Sequence, residues 1–520
     1  MGNTAIFRMM FFNLLLALFY NIKKILKVHF HILGNKNLLK ISLSYRFFGL
    51  FLLVFIGNNL DNLAQDESKE PILNIAPERV LINNIYIIGN EKTKKNIILR
   101  EIDLQTAIYY DWEELIQTIE SDKKKIYNLQ LFNNVEITPL FTGPEQIELL
   151  VTVTERWYII PNLIFNLADR NLAEWWTNQN RDLSRVNFGA RLIHNNVGGR
   201  NEKLRIGGQW GFVRAFEVLY SKPYIDKKQK HGLAVQYTYF TQKTIPVRSE
   251  NNRQVFYRNE NEDVLRRNSS AFLRYTYRGS YYNFHFLTLG YTNTRINDDV
   301  FSQNPNYFIH GDNRLNFFMM SYNFRHDNRD NIAYATEGNL LNLTLTRYGL
   351  LPGNDVNDLE FTLNANKYKR LNSKFHVASG LSFNYFFAQN QPYTLVRGIG
   401  YNPNFIRGYE LNVIEGQQLF VHKNSLRYKL FDFGFDISNY VPRDEFSYFP
   451  FKFYISANYD HGFVNDKNRL PENLRLTNKY LFGYGLGIDL VTLYDMVFRL
   501  EYSINNQNER AFFFNIRAPF

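Results

Sequence analysis

The residues that most often do chemistry in enzymes are present in this sequence, but their spacing matches no catalytic motif. No G-x-S-x-G elbow, no Walker loop and no H-E-x-x-H zinc motif occurs. The ten histidines are scattered singly, and zero cysteines exclude a disulfide framework and a thiolate metal site. Glu113 and Glu114 are adjacent carboxylates, but they fall at a predicted helix start, where acidic residues complement the helix dipole. We therefore expect no catalytic residues, no metal and no cofactor, and we expect that the chain is not an enzyme.

The net charge of +11 does not indicate a nucleic-acid-binding protein, because much of it lies at the N-terminus. Residues 1–64 carry seven lysines and arginines and one acidic residue, so the rest of the chain has a net charge of +5. No basic cluster with interleaved stacking aromatics occurs in that rest. We therefore expect no nucleic-acid partner.

The first 64 residues have the features of a leader for export. The apolar run Phe47–Ile56 follows two basic residues and leads into a polar stretch that ends at Ala64, which is the arrangement of a secretory signal. The role of an earlier apolar run, Phe11–Tyr20, stays open between an over-long predicted start and a genuine anchor. Each run is too short for a membrane helix of about twenty residues. We predict a leader over 1–64 and a linker over 65–78.

The composition favours a barrel that crosses a membrane with strands. Mean hydropathy is −0.34, as in a soluble protein, yet 35 Tyr and 46 Phe make most of a 17% aromatic fraction. A transmembrane barrel combines both properties, because only every second residue faces lipid and aromatics gather at the two interfaces. An aromatic-rich soluble β-protein fits the composition equally well. After Gln65 no apolar run is long enough for a membrane helix, so a mature chain that spans a membrane must do so as a closed barrel.

From 157 to 520 the chain repeats one alternating pattern. One face of each segment is apolar and aromatic, and the other repeats Arg, Asn and Asp, which suits a wet lumen better than the dry core of a sandwich. About sixteen segments occur, and bacterial barrels have even strand numbers. The predicted strands are 158–167, 183–194, 201–211, 214–222, 231–241, 269–279, 282–294, 314–326, 337–348, 357–370, 374–388, 415–429, 450–460, 480–490, 494–505 and 511–520. This predicts a transmembrane antiparallel β-barrel over 157–520.

Before the barrel, the spacing of apolar residues over 79–156 changes its period three times. This pattern predicts a small α/β domain. A short strand ends at the turn pair Gly89-Asn90, and a helix over 94–102 follows it. A second helix begins at Asp111, with Glu114 three residues on in a capping arrangement. Two strands close the domain, and the last alternates apolar with polar residues as a half-buried strand does.

This order of strand, two helices and two strands resembles a POTRA domain, the periplasmic polypeptide-transport-associated module. The resemblance rests on the strand ending at Gly89-Asn90, on the run Leu129–Phe132 before the strand Val135–Thr138, and on the closing Val153–Glu155. Any other small α/β domain stays the alternative.

Four short stretches of the barrel region, in this order, resemble the BamA/TamA-type outer-membrane assembly family, also called the bacterial surface antigen family. They resemble its glycine-rich hairpin, its proline turn, its aspartate-arginine-aspartate turn and the arginine-glycine-aromatic motif of its long sixth extracellular loop. The stretches are Asn195–Asn201, Ser221–Tyr224, Asp327–Asn331 followed by Gly338, and Ile406–Tyr409. The resemblance covers about 79–520, with Asp327, Arg329, Asp330 and Gly338 as the residues of the central turn.

The resemblance implies that Arg407, with Gly408 and Tyr409, folds into the lumen and that Arg407 pairs with an acidic residue of the barrel wall. Asp460 lies on the same strand face as Lys452, Ser456 and Asn458 and has the parity needed for that pair. The alternative is that Arg407 lines a loop and Asp460 begins a turn.

One position departs from the family pattern. Ser425 stands where the resemblance implies a glutamate near that point of the strand. We therefore expect a thinner network of inward charges than the family usually has.

The C-terminal segment resembles the sorting signal of outer-membrane barrels. An aromatic last residue stands in register with an apolar strand face, whose members are Phe512, Phe514, Ile516 and Phe520.

The resemblance implies an outer-membrane protein insertase or translocase with its POTRA domain in the periplasm of a Gram-negative-type bacterium. Its expected partners are unfolded outer-membrane or secreted polypeptides, the lipid bilayer, and accessory lipoproteins or periplasmic chaperones. The alternative is a passive porin or surface adhesin barrel, which has no reason to carry a periplasmic α/β module. A soluble β-domain enzyme is the third reading, and it leaves the export leader and the terminal Phe520 unexplained. The identity of the client polypeptides does not follow from the sequence.

Overall fold

The structure is a computed structural model, and its description covers most of the chain from residue 77 onwards. The described residues are 77–167, 175–176, 180–259, 261, 263–309, 311–388, 390–401, 403–438, 446–468 and 471–515. The predicted leader and nearly all of the predicted linker lie outside them. The small domain and the barrel belong to one compact unit, Ala76–Phe520.

The small domain is a four-stranded sheet with two helices. Its elements are β1 (Arg79–Ile88), α1 (Lys95–Leu99), β2 (Tyr109–Asp111), α2 (Trp112–Tyr127), β3 (Phe132–Gly143) and β4 (Gln146–Glu155). The strand order is β2-β1-β4-β3, with β1 parallel to β4 and the other pairs antiparallel. Among the described residues, no helix is long and apolar enough to cross a membrane.

The core of this domain forms where the alternating face of β4 meets the apolar face of α2. Every second side chain of β4 is buried, because successive strand residues point to opposite faces of a sheet. Leu115, Ile119 and Ile126 of α2 are buried against it at helical spacing. Burial of this shared apolar surface is the main stabilising contribution to the domain.

Three details of the predicted domain are wrong. The strand β2 was not predicted, and α1 ends at Leu99 rather than at residue 102. The predicted capping arrangement is also absent, since the Asp111 side chain makes no hydrogen bond to the start of α2. Because Asp111 is paired with Arg79 in the β1–β2 ladder, its carboxylate instead accepts a hydrogen bond from Arg79 Nε at 2.9 Å.

In its described residues, the rest of the chain forms a sixteen-stranded antiparallel barrel, which confirms the predicted fold class and strand number. In spatial order, its strands are β5 (Ile159–Leu167), β6 (Val186–Val197), β7 (Glu202–Gly211), β8 (Val213–Lys222), β9 (His231–Gln242), β12 (Arg266–Arg278), β13 (Asn283–Ile296), β14 (Arg314–Asp327), β15 (Gly338–Tyr348), β16 (Asp358–Arg370), β17 (Phe375–Phe386), β20 (Gln418–Asp436), β21 (Tyr448–Asn465), β22 (Tyr480–Thr492), β23 (Met496–Asn505) and β24 (Arg510–Asn515).

Further short elements lie in the connections between these strands. They are the hairpin β10 (Thr244–Glu250) and β11 (Arg253–Arg258), the pair β18 (Arg397–Ile399) and β19 (Ile414–Gly416), the helix α3 (Asp298–Gln303), and single 3-10 turns at Leu183–Arg185, Tyr393–Leu395, Pro471–Asn473 and Leu493–Asp495. The alternating pattern did not predict them, because each is too short to establish a period.

The two faces of the barrel wall differ as the alternation predicted. On β22, Leu486 and Ile488 point outward and are more than half exposed. Asp489, the residue after Ile488, points inward and is fully buried. Outward apolar rows of this kind recur on neighbouring strands and suit contact with lipid, while the inward rows carry the charged and amide side chains.

Candidate functional site

The long connection between β17 and β20 turns back into the barrel and carries the motif Ile406–Tyr409. The β18–β19 pair closes the base of this loop, with Arg397 opposite Gly416. An apolar cluster then anchors the loop to the inner wall. Its buried members are Ile399, Ile406, Tyr409, Ile414, Leu419, Val421, Val464, Leu476 and Leu481.

Arg407 lies at the inner end of this loop, between two acidic side chains of the wall. Its Nη1 donates to Asp460 Oδ1 on β21 at 2.6 Å, and its Nε donates to Glu501 Oε1 on β23 at 2.8 Å. The backbone N–H of Arg407 also donates to Asp460 Oδ2 at 3.3 Å. The three side chains are 5%, 1% and 7% exposed, so the charges are almost completely desolvated. We call Arg407, Asp460 and Glu501 the loop lock.

The expected contact between Arg407 and Asp460 is therefore present, and a second wall carboxylate also binds Arg407. The second carboxylate comes from Glu501, three strands away from Ser425, which is itself buried in the wall. Sequence reasoning missed Glu501, although its alternation with Arg499 and Ser503 on β23 placed it on the lumenal face.

Two glycines allow the loop backbone to approach the wall. Gly408 has φ +82°, and a Cβ there would lie 2.7 Å from the backbone nitrogen of Asn505. A Cβ on Gly483 of β22 would collide with the carbonyl oxygen of Arg407. Asn505 Nδ2 donates to the Gly408 carbonyl at 2.7 Å, so the close approach is held by a hydrogen bond.

Tyr409 completes the motif by packing into the apolar cluster. Its side chain is fully buried, and its hydroxyl donates to Asn506 Oδ1 beyond β23. The buried ring and its bonded hydroxyl explain why an aromatic residue with a polar tip fits here.

The predicted central turn between β14 and β15 is braced by its own side chains. Arg329 donates from Nε and Nη2 to the two carboxylate oxygens of Asp327, each at 2.8 Å. Asp330 accepts from the backbone N–H and the hydroxyl of Thr336, at 2.9 and 2.6 Å. Gly338 has φ +95°, and a Cβ there would lie 2.7 Å from Arg329 Cα. These contacts within the motif therefore fix the shape of the turn from Asp327 to Gly338.

The apex of this turn enters the lumen, which the sequence did not predict. The hydroxyl of Tyr334 donates to Asp489 Oδ2 on β22 at 2.7 Å, and Asp489 accepts from Arg499 on β23 at 2.5 and 2.6 Å. The guanidinium of Arg427, on β20, stacks over the Tyr334 ring at 4.6 Å. We call Tyr334, Asp489 and Arg499 the turn lock.

The small domain packs against the barrel turns at the same end as the turn lock. Arg278, at the end of β12, donates to Glu101 Oε1 and Oε2 at 2.8 and 2.7 Å. Burial by itself raises the pKa of Glu101, but the hydrogen bonds and positive charges of Arg278 and Arg100 outweigh burial and hold that pKa below its ordinary value. Glu101 therefore stays ionised in the contact.

Asp495, in the turn between β22 and β23, is a second point of attachment. It accepts hydrogen bonds from Tyr127 at 3.0 Å and from Arg156 at 2.8 Å, both in or next to the small domain. Asn331 of the central turn donates to the same carboxylate at 3.0 Å. The small domain, the central turn and the β22–β23 turn are thus joined through one side chain.

Two more of the sequence motifs meet the small domain. Asn196, in the glycine-rich hairpin, donates to the Thr93 hydroxyl at 2.9 Å. Tyr224, in the proline turn, lies under the guanidinium of Arg100 at 3.7 Å. Three of the four family-like stretches therefore lie where the barrel contacts the small domain, and the fourth carries the loop lock.

The predicted sorting residues are partly described. Phe512 and Phe514 on β24 point outward and are 64% and 54% exposed, while Phe513 between them is buried. Ile516 and Phe520 lie outside the described residues.

A sixteen-stranded barrel with an apolar outer face, a charged lumen and a small α/β domain at one mouth defines an outer-membrane barrel protein with a periplasmic domain. The Omp85 superfamily domain matches residues 196–517, which is more than half of the chain. A POTRA domain, the surface antigen variable number repeat, matches residues 80–156. The chain belongs to the Omp85 superfamily, its barrel lies in the outer membrane, and its POTRA domain lies in the periplasm.

One curated relative and two solved structures are also similar to this chain. The outer membrane protein assembly factor BamA of Neisseria meningitidis serogroup B is 30% identical over 96 residues, which are 18% of this chain and 12% of that protein. BamA from Haemophilus ducreyi lacking POTRA domains 1-3 is similar with a TM-score of 0.47 and 15% identity, over 84% of each chain. CdiB from Escherichia coli is similar with a TM-score of 0.47 and 12% identity, over 86% of this chain and 92% of that chain.

Proposed function

We propose that this chain is a non-enzymatic outer-membrane insertase or translocase. Its POTRA domain captures unfolded polypeptide clients in the periplasm, and its barrel assembles them into, or passes them across, the outer membrane. Accessory lipoproteins or periplasmic chaperones deliver the clients. Burial of a client's apolar strand face in lipid supplies the driving force, so that no nucleotide or cofactor is required.

The observation that carries this proposal is the long open edge of the POTRA sheet. β3 has twelve residues and pairs along one side with β4. No second partner strand occurs on its other side among the described residues. An extended polypeptide binds such an edge by adding a strand through main-chain hydrogen bonds, with little dependence on sequence. This suits a protein whose clients share an unfolded state rather than one sequence.

The ends of the barrel sheet support the same proposal. In the part of the chain that the structure describes, which stops at residue 515, no ladder joins the first strand β5 to the last strand β24. A strand edge of this kind is a template for pairing with another chain. The POTRA contacts with Asp495 hold the small domain at the mouth of the barrel next to these strands.

The filling of the lumen argues against the porin alternative. The loop lock enters from one mouth and the turn lock from the other, and both reach the wall formed by β21, β22 and β23. A porin needs an open aqueous lumen. Two inserted segments that bind one wall fit a barrel whose strands, rather than its pore, handle the client.

Depletion of the protein followed by a census of outer-membrane and secreted proteins tests the proposal. We expect a subset of outer-membrane barrels or secreted polypeptides to be lost from the cell surface and to accumulate as unfolded chains. Loss of small-solute uptake with an unchanged protein census would support the porin alternative instead.

A photo-crosslinking residue at Thr138 on the exposed face of β3 tests the capture step. We expect adducts with unfolded clients at Thr138 and few at Glu113, an exposed α2 position away from that edge. Equal labelling at the two positions would count against capture by strand addition.

A further inference from the structure

Four arginines form one cross-strand row at the extracellular end of the barrel. Arg267 on β12 stands directly opposite Arg295 on β13, and Arg295 stands opposite Arg314 on β14. On the other side of Arg267, Thr241 of β9 separates it from Arg214 of β8. We call Arg214, Arg267, Arg295 and Arg314 the arginine row. Neighbouring strands are about 4.8 Å apart, so the row spans about 19 Å of the barrel circumference.

The arginine row faces outward rather than into the lumen. All four side chains are exposed. Arg267 has the same parity as the exposed Leu273, and Arg295 has the same parity as the exposed Leu289. The row therefore tops the lipid-facing surface of these strands.

Within the described part of the chain, none of these arginines has an ion-pair partner. Among the described residues, no ion pair and no side-chain hydrogen bond joins the four arginines to another residue. Asp263 lies nearby, but its carboxylate accepts from Asn259 Nδ2 at 3.1 Å. Like charges directly opposite each other destabilise a sheet. A row of three adjacent arginines is therefore unfavourable by itself, and a bound anion would offset the repulsion between its members.

The surface at the row offers two guanidinium groups to an anion, beside the carboxylate of Asp263. A hollow of about 220 Å³ opens there, lined by Asp263, Val264, Arg267, Arg295, Ile296 and Asn297. Guanidinium groups bind phosphate oxygens through paired N–H donors, and they bind them more specifically than lysine does. A phosphate group fits a hollow with two arginines on its wall.

The residues below the row favour a lipid as the source of a phosphate group. The next rung on β13 and β14 is a hydrogen-bonded amide pair, Asn293 and Asn316. The rung after that is aromatic, with the Tyr291 and Phe318 rings 4.7 Å apart, and aliphatic side chains follow. Charge, then amide, then aromatic, then aliphatic is the order of a membrane from headgroup to acyl chain.

We infer that the arginine row binds the phosphorylated headgroup of a lipid in the outer leaflet of the outer membrane. The inference rests on the location of the barrel and on the row itself, and it does not depend on the proposed insertase activity. A bound headgroup neutralises the row and fixes a lipid beside β12, β13 and β14. Lipid recognition by clustered basic residues at a membrane surface follows the same electrostatics.

Binding of a defined lipid to the purified full chain in neutral detergent tests this inference. The probe is bisphosphorylated lipid A, compared with its dephosphorylated form and with inorganic phosphate. The R267Q/R295Q variant removes two row charges, and the R510Q/K479Q variant removes two exposed extracellular charges outside the row. We expect R267Q/R295Q to weaken lipid A binding by about tenfold or more, as loss of two charge-assisted contacts does, and we expect R510Q/K479Q to leave it within about twofold.

Three outcomes would overturn the inference. Equal weakening in R510Q/K479Q would show a bulk charge effect. Equal binding of the dephosphorylated lipid would show that phosphate is not recognised. Inorganic phosphate that binds as tightly as lipid A would identify a free-anion site.

A heat-modifiability gel checks that each barrel is folded. If R267Q/R295Q does not fold, R267K/R295K replaces it, and it is expected to bind the lipid less tightly because lysine lacks the paired donors.

Discussion

The loop lock and the turn lock reach the same wall of the barrel from opposite mouths, but their charges are distributed differently. In the loop lock, the inserted segment brings the cation, and the wall supplies two carboxylates, Asp460 and Glu501. In the turn lock, the wall already contains the ion pair of Asp489 and Arg499, and the inserted Tyr334 adds a neutral donor. The wall therefore supplies both charges of the ion pair in the turn lock, whereas in the loop lock its two carboxylates bind the inserted arginine.

This difference sets the cost of removing each inserted side chain. Breaking a buried ion pair on one side leaves an uncompensated charge and costs about 3–5 kcal/mol. Removing a donor from a charged acceptor that keeps its other partner costs about 1.5–3 kcal/mol. The predictions below test this ranking, beginning with the largest effect.

Arg407→Ala is expected to give the largest loss. It leaves Asp460 and Glu501 buried without their cation, and we expect a destabilisation of about 3–5 kcal/mol together with impaired client assembly. Urea unfolding of the purified barrel and the outer-membrane protein census measure the two effects. Arg397→Ala is the matched control, because Arg397 is in the same loop but is exposed and donates only to backbone carbonyls. Equal effects of the two variants would contradict a specific lock. Asn402, another loop position, lies outside the described residues.

The pairing within the loop lock is expected to be non-additive. Arg407→Ala and Asp460→Ala each leave a charge without its partner, whereas the double variant removes both charges of that pair. We expect a coupling free energy of about 1–3 kcal/mol in a double-mutant cycle. If the effects of the two single variants simply add, the two side chains do not interact. Because the natural chain has no cysteine, Arg407→Cys combined with Asp460→Cys gives a geometric check, and a crosslink is expected.

Tyr334→Phe is expected to give a smaller loss than Arg407→Ala. It removes one hydrogen bond to Asp489, which keeps its pair with Arg499, so we expect about 1.5–3 kcal/mol in the same unfolding measurement. Tyr484→Phe is the control, since that side chain points outward on β22 and is half exposed. A Tyr334→Phe effect as large as that of Arg407→Ala would remove the distinction between the two locks.

The contact between the POTRA domain and the barrel is expected to give the smallest effect. The folded pKa of Glu101 is lowered, so its stabilising contribution is present above the unfolded value of 4.5 and is lost as pH falls through the folded pKa. We expect proteolysis of the POTRA domain to accelerate below about pH 4.5, and Glu101→Gln to raise the rate at neutral pH and reduce its pH dependence. A Glu101→Gln profile identical to that of the natural chain would contradict this role.

Strand positions could be predicted from the sequence because alternation is a local property. The predicted strand 231–241 is observed as His231–Gln242, and the predicted 337–348 is observed as Gly338–Tyr348. The largest error falls on the predicted 415–429, where β20 continues to Asp436. A bulge between Lys429 and Phe431 shifts the alternation there, and a pattern of period two ends where a bulge adds one residue.

The candidate site could be predicted only in part. Arg407 and Asp460 were found through a family motif and strand parity. Glu501 and Tyr334 were missed, because their partners are distant in sequence and depend on how strongly the sheet curves and how far each loop or turn enters the lumen. Alternation tells which side chains face inward, but it does not tell which of them meet.

The sequence of β3 also limits the length of an added strand that can pair with its edge. Pro139 stands within this strand and lacks a backbone N–H, and proline on an edge strand is tolerated where that missing donor faces away from the sheet. With that nitrogen on the free side, an added strand meets a gap in the row of donors and pairs over shorter stretches on either side of it. Long uninterrupted edges nucleate cross-β aggregates when unfolded chains are concentrated around them. Under the proposed function, an interrupted edge of β3 would hold one unfolded client without seeding a fibril.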